Sequence, residues 1–586
     1  MAHPLSELEQ LVQSAIVRAF GSEYADADPA LHRSAFADYQ ADAALRLSRR
    51  VRQPPLEVAN RIKDALEADG SCSEVRVSPP GFINFTLRDD ALEAAIQTLS
   101  RDPRLGVALS GKPETVVIDY SGPNVAKEMH VGHLRGTIIG DSLARLFGFL
   151  GHRVIRQNHV GDWGTPFGML IEQMLDTGTD AGASLGALND FYKEARQKFD
   201  SDPAFAERAR QRVVLLQASD AETLKLWHTL VAASRRYFVE VYTKFGVLLG
   251  DEDVRGESQY NDELADVVRE LEERGIARVD QGALCVFLPE FKGRDGEPLP
   301  LIIRKKDGGY GYATTDLAAL RYRVQKLAAN RVLYVVGSPQ QQHFAMVFAT
   351  ARVAGWLDGG ARAEHVGFGS ILDEHRKMLR TRSGETPRLV ELLDEAVHRA
   401  DAAIAEKNPE LAPEARAPVA QLVGTGAIKY ADLSTERIKD YVFDWSRMLS
   451  FEGNTGPYLQ YAHARIHSIL RRAADAGIEV ANELVLDRTP EHVRIRLTEP
   501  AERALAMELL DLATAIDAVQ VALQPHRLCT YLYELASKYT TFYEACPVLK
   551  AESDEQRDSR LLLCATTRRA LALGLGVLGM GAPDRM

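Results

Sequence analysis

Thr115-Val-Val-Ile-Asp-Tyr-Ser-Gly-Pro-Asn-Val-Ala-Lys-Glu-Met-His-Val-Gly-His133 begins as a β-branched strand and ends where a helix should start. Beyond it Leu134, Ile138, Ser142, Leu146 and Leu150 recur at four-residue steps, one helical face that closes at Gly151. His152 to Asn158 then supplies a second strand. Strand, helix and strand, with a loop Ser121–Asn124 after the first strand, make the βαβ unit of a nucleotide-binding parallel sheet. The second half of that sheet is expected at Arg331–Val336, a continuous apolar strand, with a helix from about Gln340 and a short strand between His365 and Ile371. The charge-rich stretch between the halves, about Leu185 to Pro300, reads as an insertion with helices up to Phe245 and a β-segment at Leu284–Leu288.

On the N-terminal side, Leu5 to about Ala68 reads as amphipathic helices, and Val75–Leu87 alternates on both sides of Pro79-Pro80-Gly81, as a hairpin does. Asp102-Pro103 and Gly111-Lys112-Pro113 provide the turn before the sheet. From Pro387 onward helical periodicity dominates, interrupted at Asn408-Pro409, Pro413, Pro418 and Gly453–Pro457. The expectation is a multi-domain α/β chain: a small α+β module over residues 1–112, a Rossmann-like parallel-sheet domain over 113–386 with its insertion at about 185–300, a helical connecting region over 387–455, and an all-α domain over 456–586. A length of 586 residues suits about four domains.

Composition is globular, 46% hydrophobic and 26% charged, and a formal charge of -12 argues against a protein that coats nucleic acid through overall positive charge. A local basic groove stays open. The five cysteines are scattered without a C-x-x-C pair, so neither a disulfide framework nor a zinc cluster is expected. No leader or bilayer span is apparent, and a cytoplasmic protein is the expectation.

The chemistry centres on His130-Val-Gly-His133 at the expected helix start. A helix N-terminus carries unpaired N–H groups and attracts phosphate. Two imidazoles three residues apart can serve one phosphate chain, and Gly132 lets a flat base approach. Taken alone, the tetrapeptide fits two capping histidines equally well.

The longer run Ile118 to Asp141 resembles the signature of bacterial arginyl-tRNA synthetases, with His130–His133 matching the H-x-G-H element of class I enzymes. The resemblance continues through Ile155–Gly164, Tyr312-Ala-Thr-Thr-Asp-Leu-Ala318, Lys429-Tyr-Ala-Asp-Leu433, Phe451–Tyr461 and Arg585-Met586, and Gly81-Phe-Ile-Asn-Phe85 looks like the additional N-terminal domain of that family. It implies arginine–tRNA ligase activity. L-arginine and ATP with Mg²⁺ give arginyl-adenylate, and the arginyl group passes to the terminal ribose of tRNA(Arg), on the 2′-OH if class I behaviour holds. It implies activation that depends on bound tRNA, no protein metal site, no membrane partner and a monomer.

Residue by residue, the resemblance implies ATP binding by His130, Gly132 and His133, and arginine binding by Asp119, Asn124, Tyr312, Asp316 and Gln340. Asp316 also fits a helix N-cap, and Tyr312 a core aromatic. The cationic loop of class I enzymes corresponds to Lys377-Met-Leu-Arg-Thr-Arg-Ser-Gly384, where Arg380 replaces the second lysine; Lys127 can supply the missing charge. A solvated basic turn is the plainer alternative. Asn158 and His159 fit either substrate contact or loop bracing.

For tRNA, Tyr458, Tyr461, His463 and Arg465 on one helix, and His526 to Tyr543 including Tyr531, Tyr539, Phe542 and Tyr543 on another, mix aromatics with cations as unpaired bases require. Tyrosines at helical spacing are also ordinary core. Phe82, Asn84 and Phe85 fit either a contact with the tRNA elbow or an ordinary strand. A small-molecule adenylyltransferase and a non-enzymatic RNA-binding paralogue remain the rival readings.

Overall fold

The structure, a computed structural model, describes residues 4–67, 70–178, 185–293, 296–380 and 386–586. Five parallel strands form its centre, in the order Arg362–His365, Arg331–Tyr334, Thr115–Asp119, Arg153–Val160 and Val254–Gly256. Val116 to Ile118 are fully buried, so the first strand lies in the interior of the protein, as its unbroken apolar run requires. The chain builds outward from that strand on one side, to Arg153–Val160 and Val254–Gly256, and then returns to its other side at Arg331–Tyr334. Strand order therefore reverses beside Thr115–Asp119, and ligands of open α/β sheets collect at the carboxyl ends there.

The fifth strand corrects the sequence reading, which left Val254–Gly256 inside the insertion. Asn158 to Val160 pair in parallel with Val254 to Gly256. Three residues are too few for a periodicity to register. The rest of the stretch divides into helices Leu185–Ser201, Pro203–Gln217 and Ala221–Phe245, the helix Asn261–Glu273, and an antiparallel sheet in which Ala283–Lys292 lies between Ala277–Asp280 and Pro298–Arg304.

The N-terminal module holds the expected hairpin, Cys72–Ser78 against Phe82–Leu87, with Val77 opposite Ile83. The helical reading of the preceding region is corrected by two further strands, Leu31–Arg33 and Tyr39–Ala41, which extend the hairpin to four strands. Tyr39 and Ala41 are buried against the helices Pro4–Phe20, Ala43–Val51 and Pro55–Asp64. Ala68, the expected end of the helical region, lies outside the described residues. From Gly456 onward the regular elements are all helices.

The two ends of the chain pack on each other. Arg503 grips Asp38 with two hydrogen bonds of 2.7 and 2.8 Å across 465 residues of sequence. Arg101 donates to Glu491 O, Arg569 to Ser100 O and Arg496 to Glu93. Most of these groups are backbone carbonyls or partly buried carboxylates, so the module is fitted to the helical domain rather than tethered to it.

Candidate active site

His130 stands in extended backbone (φ -123°, ψ 174°) ahead of a short 3-10 turn, Val131–His133, that runs into the helix Leu134–Phe149. The imidazoles cap this turn reciprocally. Gly132 N–H donates to His130 Nδ1 at 3.0 Å, and His130 N–H to His133 Nδ1 at 3.1 Å. A ring nitrogen that accepts cannot carry the proton, so the neutral His130 imidazole holds its hydrogen on Nε2, while His133 Nδ1 lies within reach of both His130 N–H and, at 3.3 Å, His130 O. Burial, with Lys127 adding to it, lowers the His130 pKa; burial, then His130 and Lys127, pushes His133 down to about 3. Both rings are thus neutral near pH 7 and carry N–H donors at the positive end of a helix. The two sequence readings merge here, because capping is what fixes these histidines as donors. Gly132 has a different use from the one expected: a Cβ there would lie 2.7 Å from His130 Cε1, so the glycine makes room for the folded-back imidazole.

Lys127 lies close enough to act on both rings, its Nζ 4.6 Å from the centroid of Tyr192. Lys377 is exposed on a tight hairpin in which Asp373 N–H donates to Lys377 O at 2.7 Å and Lys377 N–H to Asp373 Oδ1 at 2.9 Å. Arg380 follows on the irregular returning arm, while Thr381–Gly384 of the expected cationic loop lie outside the described residues. The chain beyond it comes back to the histidines: Val131 N–H donates to Pro387 O at 3.0 Å and Leu389 N–H to Met129 O at 2.9 Å.

Carboxylates gather at the same sheet edge. Asp119 closes the first strand and arrives already paired, its Oδ2 2.8 Å from Nη2 of the fully buried Arg323 and its Oδ1 accepting from His159 N–H. Asn124 forms a parallel bridge with Gly161. Asp316 is no N-cap, since its helix starts four residues earlier at Tyr312 with Gly311 as cap; the carboxylate meets His343 Nε2 at 2.6 Å. Tyr312 is 77% exposed at the helix tip, which rules out a core role. Gln340 ends the short turn Ser338–Gln340 that precedes the helix bearing His343.

Sequence reasoning missed Glu257, in the Gly256-Glu257-Ser258 turn after the fifth strand. Burial first, then the charges of Asp162 and Asp316, pushes its pKa to about 7. Asp162 holds the turn by accepting from Ser258 N–H at 2.8 Å and Ser258 Oγ at 2.7 Å. A Cβ on Gly256 would lie 2.0 Å from Asp162 Oδ2, so only glycine fits. The one local signal was the G-E-S turn itself, which carries no periodicity. Asn158 proves to be a brace, accepting from Gly122 N–H at 3.0 Å and donating to Tyr242 Oη at 2.9 Å.

Three family descriptions match this chain: the catalytic domain of class I (R) tRNA synthetases over residues 95–445, the arginyl tRNA synthetase N-terminal domain over 6–87, and the DALR anticodon binding domain over 459–586. An arginine–tRNA ligase of Thermobifida fusca is 54% identical over the whole of both chains. The chain belongs to the arginyl-tRNA synthetases. A second relative so named, from Frankia casuarinae, is 50% identical over 99% of this chain and 98% of its own. Among solved structures, the arginyl-tRNA synthetase of Plasmodium falciparum superposes with a TM-score of 0.85 at 29% identity, covering all of both chains.

In this arginyl-tRNA synthetase the aromatic residues expected to meet RNA separate by exposure. Tyr461 is 36% exposed, beside Phe451 and with Lys407 Nζ 5.2 Å from its ring. Tyr543 is half-buried with the Arg465 guanidinium 4.4 Å from its centroid, and Tyr458 is half-buried with its hydroxyl 3.4 Å from Thr540 Oγ1. Phe542 is corrected to core. It is wholly buried, as Tyr539 and Tyr531 nearly are, on the face that packs toward Cys564 of the last helix. His463 is also internal, its Nδ1 2.9 Å from Pro583 O. In the N-terminal module Phe82 is half-buried; Asn84 is 5% exposed, with Nδ2 donating to Ser78 Oγ at 2.8 Å and Oδ1 buried with no partner among the described residues.

Proposed function

We propose that this chain activates L-arginine with ATP, Mg²⁺ entering with the nucleotide, and transfers the arginyl group to tRNA(Arg). The observation that carries the reading is the sharing of one sheet edge by two neutral imidazoles and a set of buried and half-buried carboxylates. An oxygen of the arginine carboxylate attacks the α-phosphorus of ATP, and the bond to pyrophosphate breaks. His130 and His133 donate hydrogen bonds to the phosphate oxygens as charge builds, with Gly132 completing the ATP turn. Lys127, Lys377 and Arg380 neutralise the departing pyrophosphate. A terminal ribose hydroxyl of the tRNA then attacks the carbonyl carbon of the mixed anhydride and AMP leaves. Arginine lies among Asp119, Asn124, Tyr312, Asp316 and Gln340, and Glu257 adds a third carboxylate. A guanidinium is the natural occupant, since it is planar, permanently charged and offers five donors to crowded carboxylates. Tyr461, Tyr458 and Tyr543, with Phe82, are the aromatic groups left for tRNA, whereas the buried Asn84 is held inside its hairpin.

Total tRNA incubated with ATP and labelled arginine should become charged, and lysine should be rejected by a factor on the order of 10⁴, because it leaves carboxylates unpaired. Charging with another amino acid, or with none, overturns the reading. Asp316→Ala should raise the arginine KM at least about tenfold, and an unchanged KM removes Asp316 from the pocket.

Glu257 gives the reaction a pH signature. Its carboxyl titrates at about 7 in the free protein, and only the ionised form attracts a guanidinium. Below that pH, kcat/KM for arginine should fall about tenfold per unit. Glu257→Gln should lower kcat/KM and flatten this limb; a limb that persists in the variant belongs to another group.

A further inference from the structure

The motif Lys429-Tyr-Ala-Asp-Leu433 and the chain after it take no part in the chemistry above, yet they run between the helical domain and both halves of the site. Asp432 pairs with Arg135, two residues beyond His133, at 3.1 Å, with both side chains buried. Five residues on, Arg437 Nη1 donates to Gly367 O at 2.6 Å and its Nε to Leu523 O at 3.0 Å. Gly367 lies at the root of the hairpin that carries Lys377. Leu523 ends the helix Leu512–Ala522 in left-handed backbone (φ 54°), just before the helix His526–Ala545. A helix's last carbonyls have no intrahelical donor, and Arg437 satisfies one of them.

The same segment is stitched to the hairpin root at every step. Gly369 N–H donates to Arg437 O at 2.9 Å, Ser370 N–H to Asp440 Oδ1 at 2.5 Å, and Phe443 N–H to Leu372 O at 2.8 Å. Ile371 and Leu372 pair in parallel with Tyr441 and Val442, and Leu372 bridges Met378 on the returning arm. The approach is close: a Cβ on Gly369 would lie 2.7 Å from Asp440 Oδ1. On the other side Phe368 packs against the histidine helix, its ring 3.3 Å from where a Cβ on Gly136 would be. Among the described residues no carboxylate pairs with Arg437, so its fork is committed to two backbone carbonyls, one in the helical domain and one at the hairpin root.

We propose that Arg437 is a positioning residue: it locks the turn at Leu523 to the strand at Gly367, and so fixes where the hairpin bearing Lys377 and Arg380 stands relative to His130. This rests on the phosphate role given above to that hairpin. A lysine could reach one carbonyl or the other, whereas the planar fork of an arginine reaches both.

The test compares the full chain with Arg437→Ala, Arg437→Lys and Asp440→Ala, the last at an exposed position, each variant first checked for its fold by circular dichroism. Hydrogen exchange is read without ligands. In Arg437→Ala the amides of Gly369, Ser370 and Leu379 should exchange at least tenfold faster, with those of the strand Thr115–Asp119 unchanged; Asp440→Ala should show the same pattern more weakly. Arginine-dependent ATP–pyrophosphate exchange with total tRNA present should lose kcat at least tenfold in Arg437→Ala at an arginine KM within twofold, and Arg437→Lys should recover part of it. Unchanged hairpin amides in the folded variants, or acceleration spread equally over the sheet, would overturn the assignment. So would an arginine KM that rises in step with the loss of kcat. If the unaltered chain charges no tRNA, the functional reading fails by itself, and hydrogen exchange still decides the coupling.

Discussion

His130→Ala should lower the rate of arginyl-adenylate formation by about a hundred- to a thousandfold, the effect of deleting one preorganised donor to developing charge. Two losses combine. The Nε2–H goes, and Gly132 N–H loses the Nδ1 acceptor that held the turn at 3.0 Å. His130→Asn separates them, since a carboxamide can accept from Gly132 N–H without presenting a donor at the imidazole's reach. Single-turnover adenylate formation at saturating ATP is the measurement. A rate within threefold of the parent in His130→Ala would remove His130 from the phosphate site. Because burial lowers both pKa values and so keeps both rings neutral, the loss should be the same at pH 7 and pH 8.

Asp432→Ala should cost about 3–5 kcal/mol of stability, the penalty for leaving one member of a buried pair without its partner. The Arg135 side chain is 2% exposed and that of Asp432 is 0% exposed. Without the carboxylate, Arg135 keeps, among the described residues, Lys439 O at 2.8 Å and the rings of Tyr441 and Phe368. The shift is read as an earlier urea midpoint at unchanged slope, followed by tryptophan fluorescence and circular dichroism together. Arg135→Met combined with Asp432→Leu removes both charges and should restore most of the stability. A loss below 1 kcal/mol in the single variant would mean that water reaches the guanidinium.

The sheet was legible because its evidence is local: an apolar strand, a loop, a helix of regular step and a second strand lie within forty-four residues, Thr115 to Asn158. The histidines were legible for the same reason. What stayed hidden depends on neighbours distant in sequence. Glu257 owes its raised pKa to burial and to Asp162 and Asp316, and Asp119 meets Arg323 204 residues away. Tyr539 and Phe542 share the spacing of a recognition face, yet only the position of the last helix decides that this face is core. Three-residue strands such as Val254–Gly256 are chosen by the edge they join rather than by their own pattern.

The union of the two ends has a consequence for how the molecule is made. Asp38 cannot meet Arg503, nor Ser100 meet Arg569, until 465 and 469 further residues have been synthesised. At about 5–20 residues per second, that leaves the N-terminal module waiting roughly 25–95 seconds on the ribosome with its docking face open. Through that interval the module must hold together on the core around Tyr39, Ile83 and Phe85 alone. Final closure is therefore a late event, in which the N-terminal module is locked by helices made 465 residues or more after it.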